Sequence, residues 1–276
     1  MSRWPTSAAA LRAQVVATRT GVTRAWAGVR GRLPRHVAYL HAQGVASWLA
    51  GGGAAEHADS FAAWCAAHAG ADVRLRIAGE FVHGVAVDAG LQLRDARAVR
   101  QYALQQLTHY HGPQAAAWPL AAWADGAQCG ACGLHGVDLA AMCVEAAAHG
   151  VRVLAATPAW STALATVAAA VPELRGAGRR ALLLVEGSAA TWLVVTDGRL
   201  VTLRQRFLDA PQADAVARLL ATLATEGEPL AGLPVVAGWG LAAPAALPAD
   251  IAMVFGALDG PGAMADCLRD SPEQRA

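Results

Sequence analysis

The chain has 276 residues, of which 55% are hydrophobic, and a formal net charge of +1. That length and apolar content can bury a substantial core, in one large domain or in two lobes. A charged share of 16% excludes binding to nucleic acid through bulk positive charge. The positive charge gathers at the front: Arg3, Arg12, Arg19, Arg24, Arg30, Arg32 and Arg35 all precede the first acidic residue, Glu56. All 22 basic residues are Arg, which together with the alanine excess reads as compositional bias. No unbroken apolar run of about 20 residues offers a membrane helix; the nearest stretch, residues 230–258, is interrupted by Pro234, Pro244, Pro248 and Asp250. Residues 1–30 lack the compact apolar segment of a secretory signal. The five cysteines, an odd number, do not read as a disulfide framework, so a cytoplasmic location is expected.

Residues 1–33 read as a basic, Ala-rich arm in which Gly21, Gly28 and Gly31 weaken any long helix. Such an arm is loosely ordered or touches an acidic surface such as membrane headgroups. A first lobe is expected over residues 34–172. It opens with two short strands in HVAYLHAQGVASWL, around Gln43 and Gly44. Gly51, Gly52 and Gly53 break the chain, and a helix is expected from about Glu56 to His68, with Phe61, Trp64 and Cys65 on one face. In VRLRIAGEFVHGVAVD, Val73, Leu75 and Ile77 alternate with Arg74 and Arg76, which predicts a half-buried strand turning at Gly79 into a second. A helix follows over Asp95 to Tyr110, with Ala98, Tyr102 and Leu104 inward. Strands over Trp118 to Trp123 and Cys129 to His135 come next, then a helix over Asp138 to His149 ended by Gly150. Val151 to Ala156 reads as a buried strand, with a helix starting near Pro158.

A Gly-Arg-rich link, Arg175 to Arg180, leads to a second lobe expected over residues 178–268. Its first part, VEGSAATWLVVTDGRLVTLRQRF, reads as a three-strand meander. Asp197-Gly198 between apolar strands suits a type I′ turn, which needs positive φ at both central positions. A helix over Ala213 to Glu226, the strand VVAGWG at Val235 to Gly240 and a strand in IAMVFGAL complete the lobe.

The meander, the helix Ala213 to Glu226, VVAGWG and the VRVLAATPAW strand entering a helix together resemble the actin-like cytoplasmic proteins of type IV pilus and type II secretion inner-membrane platforms, the PilM and GspL families. The resemblance spans about residues 70–256. It implies an α/β fold of two actin-like (ribonuclease H-like) lobes, each a mixed sheet flanked by helices. It also implies a role in docking inner-membrane platform proteins from the cytoplasmic side, without catalysis. In ATP-binding members an Asp, Gly and Thr pattern on such a meander holds phosphate and metal. At the corresponding turn this chain carries Glu186, Gly187, Ser188 and Thr191, and Gly238 and Gly240 stand where a Gly-Gly meets adenosine. Glu in place of Asp displaces the carboxylate by a methylene, which disturbs near-octahedral Mg²⁺ geometry. No Asp precedes residue 50, so the first phosphate loop has no acidic residue to offer. The expected state is a degenerate nucleotide site with no cofactor; the alternative is retained binding of ATP and Mg²⁺.

A further alternative comes from Cys129-Gly-Ala-Cys132, since Cys-x-x-Cys binds zinc or exchanges disulfides. Zinc would need His135, Cys143 or His149 as well, and thiol chemistry would need the pair at a helix start, whereas the flanking Gly130 and Gly133 read as strand. His109, Tyr110 and His111 at a helix end read as carbonyl caps. Ser188 lacks the second glycine of a Gly-x-Ser-x-Gly nucleophile elbow and is followed by a strand. The nine tryptophans are spread along the chain, as core anchors are.

Overall fold

The computed structural model describes residues 35–50, 54–163, 178–208, 213–226, 235–239 and 253–255, less positions 89, 92, 94, 126, 127 and 198. The Arg-rich arm, the link at 175–177, Gly198 and Gly240 lie outside the described residues.

Strand β1 (Arg35–His41) turns at Ala42 and Gln43 into β2 (Gly44–Leu49), and β3 (Glu56–Ala58) adds to β2. Gly44 has φ +133, and a Cβ there would lie 2.3 Å from the Ala58 carbonyl oxygen, so only glycine fits where β3 closes on the hairpin. The helix expected from Glu56 begins later, as α1 (Phe61–Ala67), because residues 56–58 pair with β2 and Ser60 caps the helix by accepting the Ala63 N–H at 3.1 Å. Phe61, Trp64 and Cys65 are its buried face, as expected. The Trp64 indole donates to Ser47 Oγ at 2.8 Å, fixing α1 on the sheet.

Strand β4 (Asp72–Ile77) runs parallel to β1. The predicted hairpin at Gly79 does not form. Both edges of β4 are taken, one by β1 and the other by β8 (Arg152–Pro158), so the chain leaves the sheet through a 3-10 turn, Gly79–Phe81, and starts another sheet. The alternation with arginine was misleading because Arg76 is 4% exposed and turns inward, donating to Thr157 Oγ1 at 2.7 Å. Asp72, equally buried, accepts two bonds from the Arg152 guanidinium at 2.9 and 2.6 Å, which locks β8 onto β4.

The second sheet is a three-stranded antiparallel insertion of β5 (Val82–Ala86), β6 (Leu120–Asp125) and β7 (Gln128–Leu134), in the order β5-β7-β6. It is covered by α2 (Ala96–His111). Asp95 caps α2 by accepting the Arg97 and Ala98 N–H groups at 2.8 Å each. The inward stripe of α2 is Val99, Ala103 and Leu107, one residue on from the expected Ala98 and Tyr102. That register follows from the cap, which fixes where the helix phase begins. Helix α3 (Leu139–Ala148) then carries the chain back to β8, and residues 159–163 begin a helix at Pro158 as expected.

The other large sheet repeats the first. β9 (Arg179–Glu186), β10 (Ala189–Thr196) and β11 (Arg199–Phe207) form the expected antiparallel meander, with Asp197 at φ 50 in its second turn. After α4 (Ala213–Thr225), β12 (Val235–Trp239) pairs parallel with β9, and β13 (Met253–Phe255) with β12. The two orders, β3-β2-β1-β4-β8 and β11-β10-β9-β12-β13, are the same plan used twice. Period-2 alternation gives the second sheet two apolar faces. Ala181, Leu183, Val185 and Trp192 pack on α4, with Val216 and Leu223 facing them, while Leu182, Leu184 and Leu193 face the first lobe and join the core of Trp48, Trp64 and Trp160. Five tryptophans, Trp48, Trp64, Trp123, Trp160 and Trp192, are at most 2% exposed.

Candidate functional site

The two turns that start the two sheets, Ala42-Gln43 and Gly187-Ser188, meet near the 3-10 turn that leaves β4. Glu186 is the last residue of β9 and shares the inward face of Leu182 and Leu184, so its carboxylate enters the inter-lobe core, where the residue is 1% exposed. Its Oε1 accepts the Tyr39 hydroxyl at 2.9 Å and its Oε2 the Gly79 N–H at 3.1 Å. Burial pushes its pKa up to about 8; the bonds from Tyr39 and Gly79 pull the other way without cancelling it. Burial, with Glu186 beside it, likewise raises the Tyr39 phenol well above its ordinary value. Both shifts favour the uncharged forms of the pair.

Three further contacts converge on the same place. Glu80 Oε1 accepts the backbone N–H of Ala42 in the first turn. Gly187 sits at φ +57 in the second turn, a conformation that favours glycine, and a Cβ there would lie 2.9 Å from Glu80 Oε2 and push that carboxylate aside. Gln205 of β11 donates to the Gly79 carbonyl at 2.9 Å and accepts the Gly84 N–H at 3.0 Å, clamping the segment between β4 and β5. Burial raises the Glu80 pKa, and the Ala42 N–H partly offsets the rise.

The sequence-predicted residues divide accordingly. Glu186 and Gly187 sit in the cleft, and Ser188 completes the turn, its carbonyl accepting the Leu208 N–H at 2.7 Å. Thr191 is fully buried on the Glu186 side of β10, and its Oγ1 meets no hydrogen-bond partner among the described residues. Gly238 lies in mid-strand, paired with Val185 and Phe255. Tyr39, Glu80 and Gln205 were missed: an isolated acid in an apolar run and a tyrosine in a buried strand carry no motif. An Mg²⁺-triphosphate does not fit this donor set. A hard cation needs ionised oxygens with free lone pairs, whereas burial favours the uncharged form of the Glu186 carboxyl, both of its oxygens are already bonded, and Glu80 lies against both turns.

The cysteine pair is separated by strand geometry. Residues three apart in a strand point to opposite faces and are about 10 Å apart. Cys129 joins Val99 and Ala103 under α2, while Cys132 joins the main core and has its thiol pushed up to about 12 by burial. The two sulfurs therefore cannot share an ion or close a disulfide, which corrects the zinc and thiol-redox alternative built on this pair. Among the described residues no group of three His, Cys, Asp or Glu could hold a metal ion.

His111, expected as a carbonyl cap, stacks on His83, with ring centroids 4.1 Å apart; His135 also stacks on His83 at 4.2 Å, and Phe207 of β11 meets it edge-on at 5.1 Å. Imidazole lone pairs lie in the ring planes, so stacked rings aim them sideways and not at one point. Burial, and then the neighbouring His135 and His111, push His83 down to about 3. A depressed base contributes stability that is present above its unfolded pKa of 6.5 and is lost as pH falls toward 3. A His83→Phe variant should accordingly lose less stability than the wild type in urea unfolding compared between about pH 6.5 and pH 4; equal losses would show that the stack does not titrate as a buried base.

No protein-family model matches the chain, and no curated protein sequence matches it. Among solved structures, the cytoplasmic domain of EpsL, an inner-membrane component of the type II secretion system of Vibrio cholerae, superposes with a TM-score of 0.54 at 13% identity, over 85% of this chain and 92% of that one. A PilM-PilN type IV pilus biogenesis complex gives a TM-score of 0.48 at 11% identity, over 75% of this chain and 82% of that one. A Bacteroides thetaiotaomicron protein with actin-like ATPase fold and unknown function gives 0.48 at 10% identity, with the same coverages. The fold is the two-lobed, actin-like α/β arrangement expected from the sequence, shared over nearly the whole of the EpsL domain.

Proposed function

We propose that the chain is a non-catalytic actin-like scaffold that docks partner proteins of an inner-membrane assembly platform, of the type II secretion or type IV pilus kind, at the cytoplasmic face of the membrane. The observation that carries this reading is the inward Glu186: the acid that a phosphate loop would point at metal and water is spent on Tyr39 and Gly79, in a cleft tied shut by the chain's own groups. A site so occupied speaks against hydrolysis. The fold shared with a cytoplasmic domain of a secretion-system membrane component supports the placement. Among the described residues no helix is long and apolar enough to cross a membrane. The Arg-rich residues 1–33 would assist near acidic headgroups.

The purified chain mixed with native inner-membrane vesicles should co-sediment and survive a salt wash that screens surface charge. Protease stripping of the vesicles should abolish retention, because the anchor is protein. Retention that persists on stripped vesicles, or no retention at all, would contradict the docking role.

A further inference from the structure

We propose that Glu80 is an internal ligand of the cleft: its carboxylate occupies the gap between the β1–β2 turn and the β9–β10 turn, where an oxyanion such as phosphate would sit, and joins the turns in its place. Backbone N–H groups at a turn and glycine's close approach are the features by which such loops bind oxyanions. Here one carboxylate oxygen takes the Ala42 N–H of the first turn, and the other lies against Gly187 of the second. A carboxylate presents to these turns an anion with two acceptor oxygens, a smaller and less charged counterpart of a phosphate.

The carboxylate is held there by its backbone and is not a wandering surface group. The Ala78 N–H donates to the Leu40 carbonyl at 2.9 Å, anchoring the 3-10 turn to the first lobe. Gly79 is bonded to the second lobe through both its N–H, to Glu186, and its carbonyl, from Gln205. Glu80 is thus fixed at a seam that both lobes define. A phosphate entering the gap would meet the Glu80 oxygens at contact distance, and like charges so close repel strongly in a partly buried site. The seam therefore excludes the anion by already containing one. The proposal is separable from the docking role: a chain that failed to bind membrane partners could still have this tie, and one lacking the tie could still dock.

The test compares wild type, Glu80→Gln and Glu80→Ala by amide hydrogen exchange at Ala42 and by thermal unfolding, with and without inorganic phosphate at matched ionic strength. Wild type should show a protected Ala42 amide and no phosphate response. Glu80→Gln keeps an acceptor and should keep protection. Glu80→Ala should exchange Ala42 at least about tenfold faster, and phosphate should restore protection and raise Tm with concentration as mass action requires. Should Glu80→Ala not fold, Glu80→Ser, which also removes the carboxylate, carries the same expectation. An Ala42 amide equally protected in Glu80→Ala overturns the tie; faster exchange that phosphate does not slow, or a phosphate response equal to that of wild type, overturns the oxyanion cradle.

Discussion

Replacing Glu186 by Gln should remove most of the stability loss that the wild-type protein suffers between about pH 5 and pH 8. The carboxyl is 1% exposed and its pKa is raised from 4.5 to about 8, so between those values the folded chain keeps a proton that the unfolded chain has released. A raised folded-state pKa contributes stability that is fully present below the unfolded pKa and is lost as pH rises through the folded one. Each pH unit in that window costs about 1.4 kcal/mol for one such group, several kcal/mol across the whole of it. Glutamine keeps the shape and the acceptor for the Tyr39 hydroxyl, and has no proton to lose. Urea unfolding at the two ends of the window checks this: the wild type should weaken and Glu186→Gln should stay level, while parallel losses would mean that the Glu186 carboxyl is ionised in the folded protein.

The second large effect is expected at Gly130, inside the Cys129-Gly-Ala-Cys132 stretch. In β7 it pairs with Trp123 on one side and with Ala86 on the other. A Cβ would sit 2.3 Å from the Val85 carbonyl oxygen and 2.5 Å from Trp123 Cζ2, so backbone and a buried ring would both have to move. Gly130→Val should destabilise by about 3 kcal/mol or more, the upper end of overpacking penalties. Gly90, where nothing lies within 4 Å of a Cβ, provides the control: Gly90→Val should stay within about 0.5 kcal/mol of wild type. Denaturant midpoints of the two variants decide it, and a Gly130→Val protein as stable as the control would mean that the insertion sheet does not pack as described.

What the sequence disclosed was local and repetitive. The meander was legible because apolar runs flank one Asp-Gly turn, which makes neighbouring strands antiparallel, and α1's buried face was legible from its spacing. The hairpin at Gly79 was misread because alternation in a chain segment does not say which neighbours will take a strand's edges; β4 is flanked on both sides by parallel partners from distant sequence. The same limit hid the cleft. Glu186 was visible as a departure from an Asp, but the meaning of that departure depends on Tyr39, Glu80 and Gln205, which are 147, 106 and 19 positions away and carry no pattern of their own. The cysteine pair shows the converse: period 2 alone, applied to residues 129 and 132, already separates the thiols once the segment is taken as a strand.

Titrating the wild-type protein with Mg-ATP while following Tm at neutral pH bears most directly on the account, because a seam in which Glu80 bridges the two turns and both Glu186 oxygens are already bonded is expected to leave no place for a metal-bound triphosphate. The midpoint should not move as nucleotide rises well beyond millimolar concentration, since a ligand with no affinity for the folded state gives no mass-action stabilisation. A midpoint that climbs with the logarithm of nucleotide concentration, and does so only when magnesium is present, would contradict it.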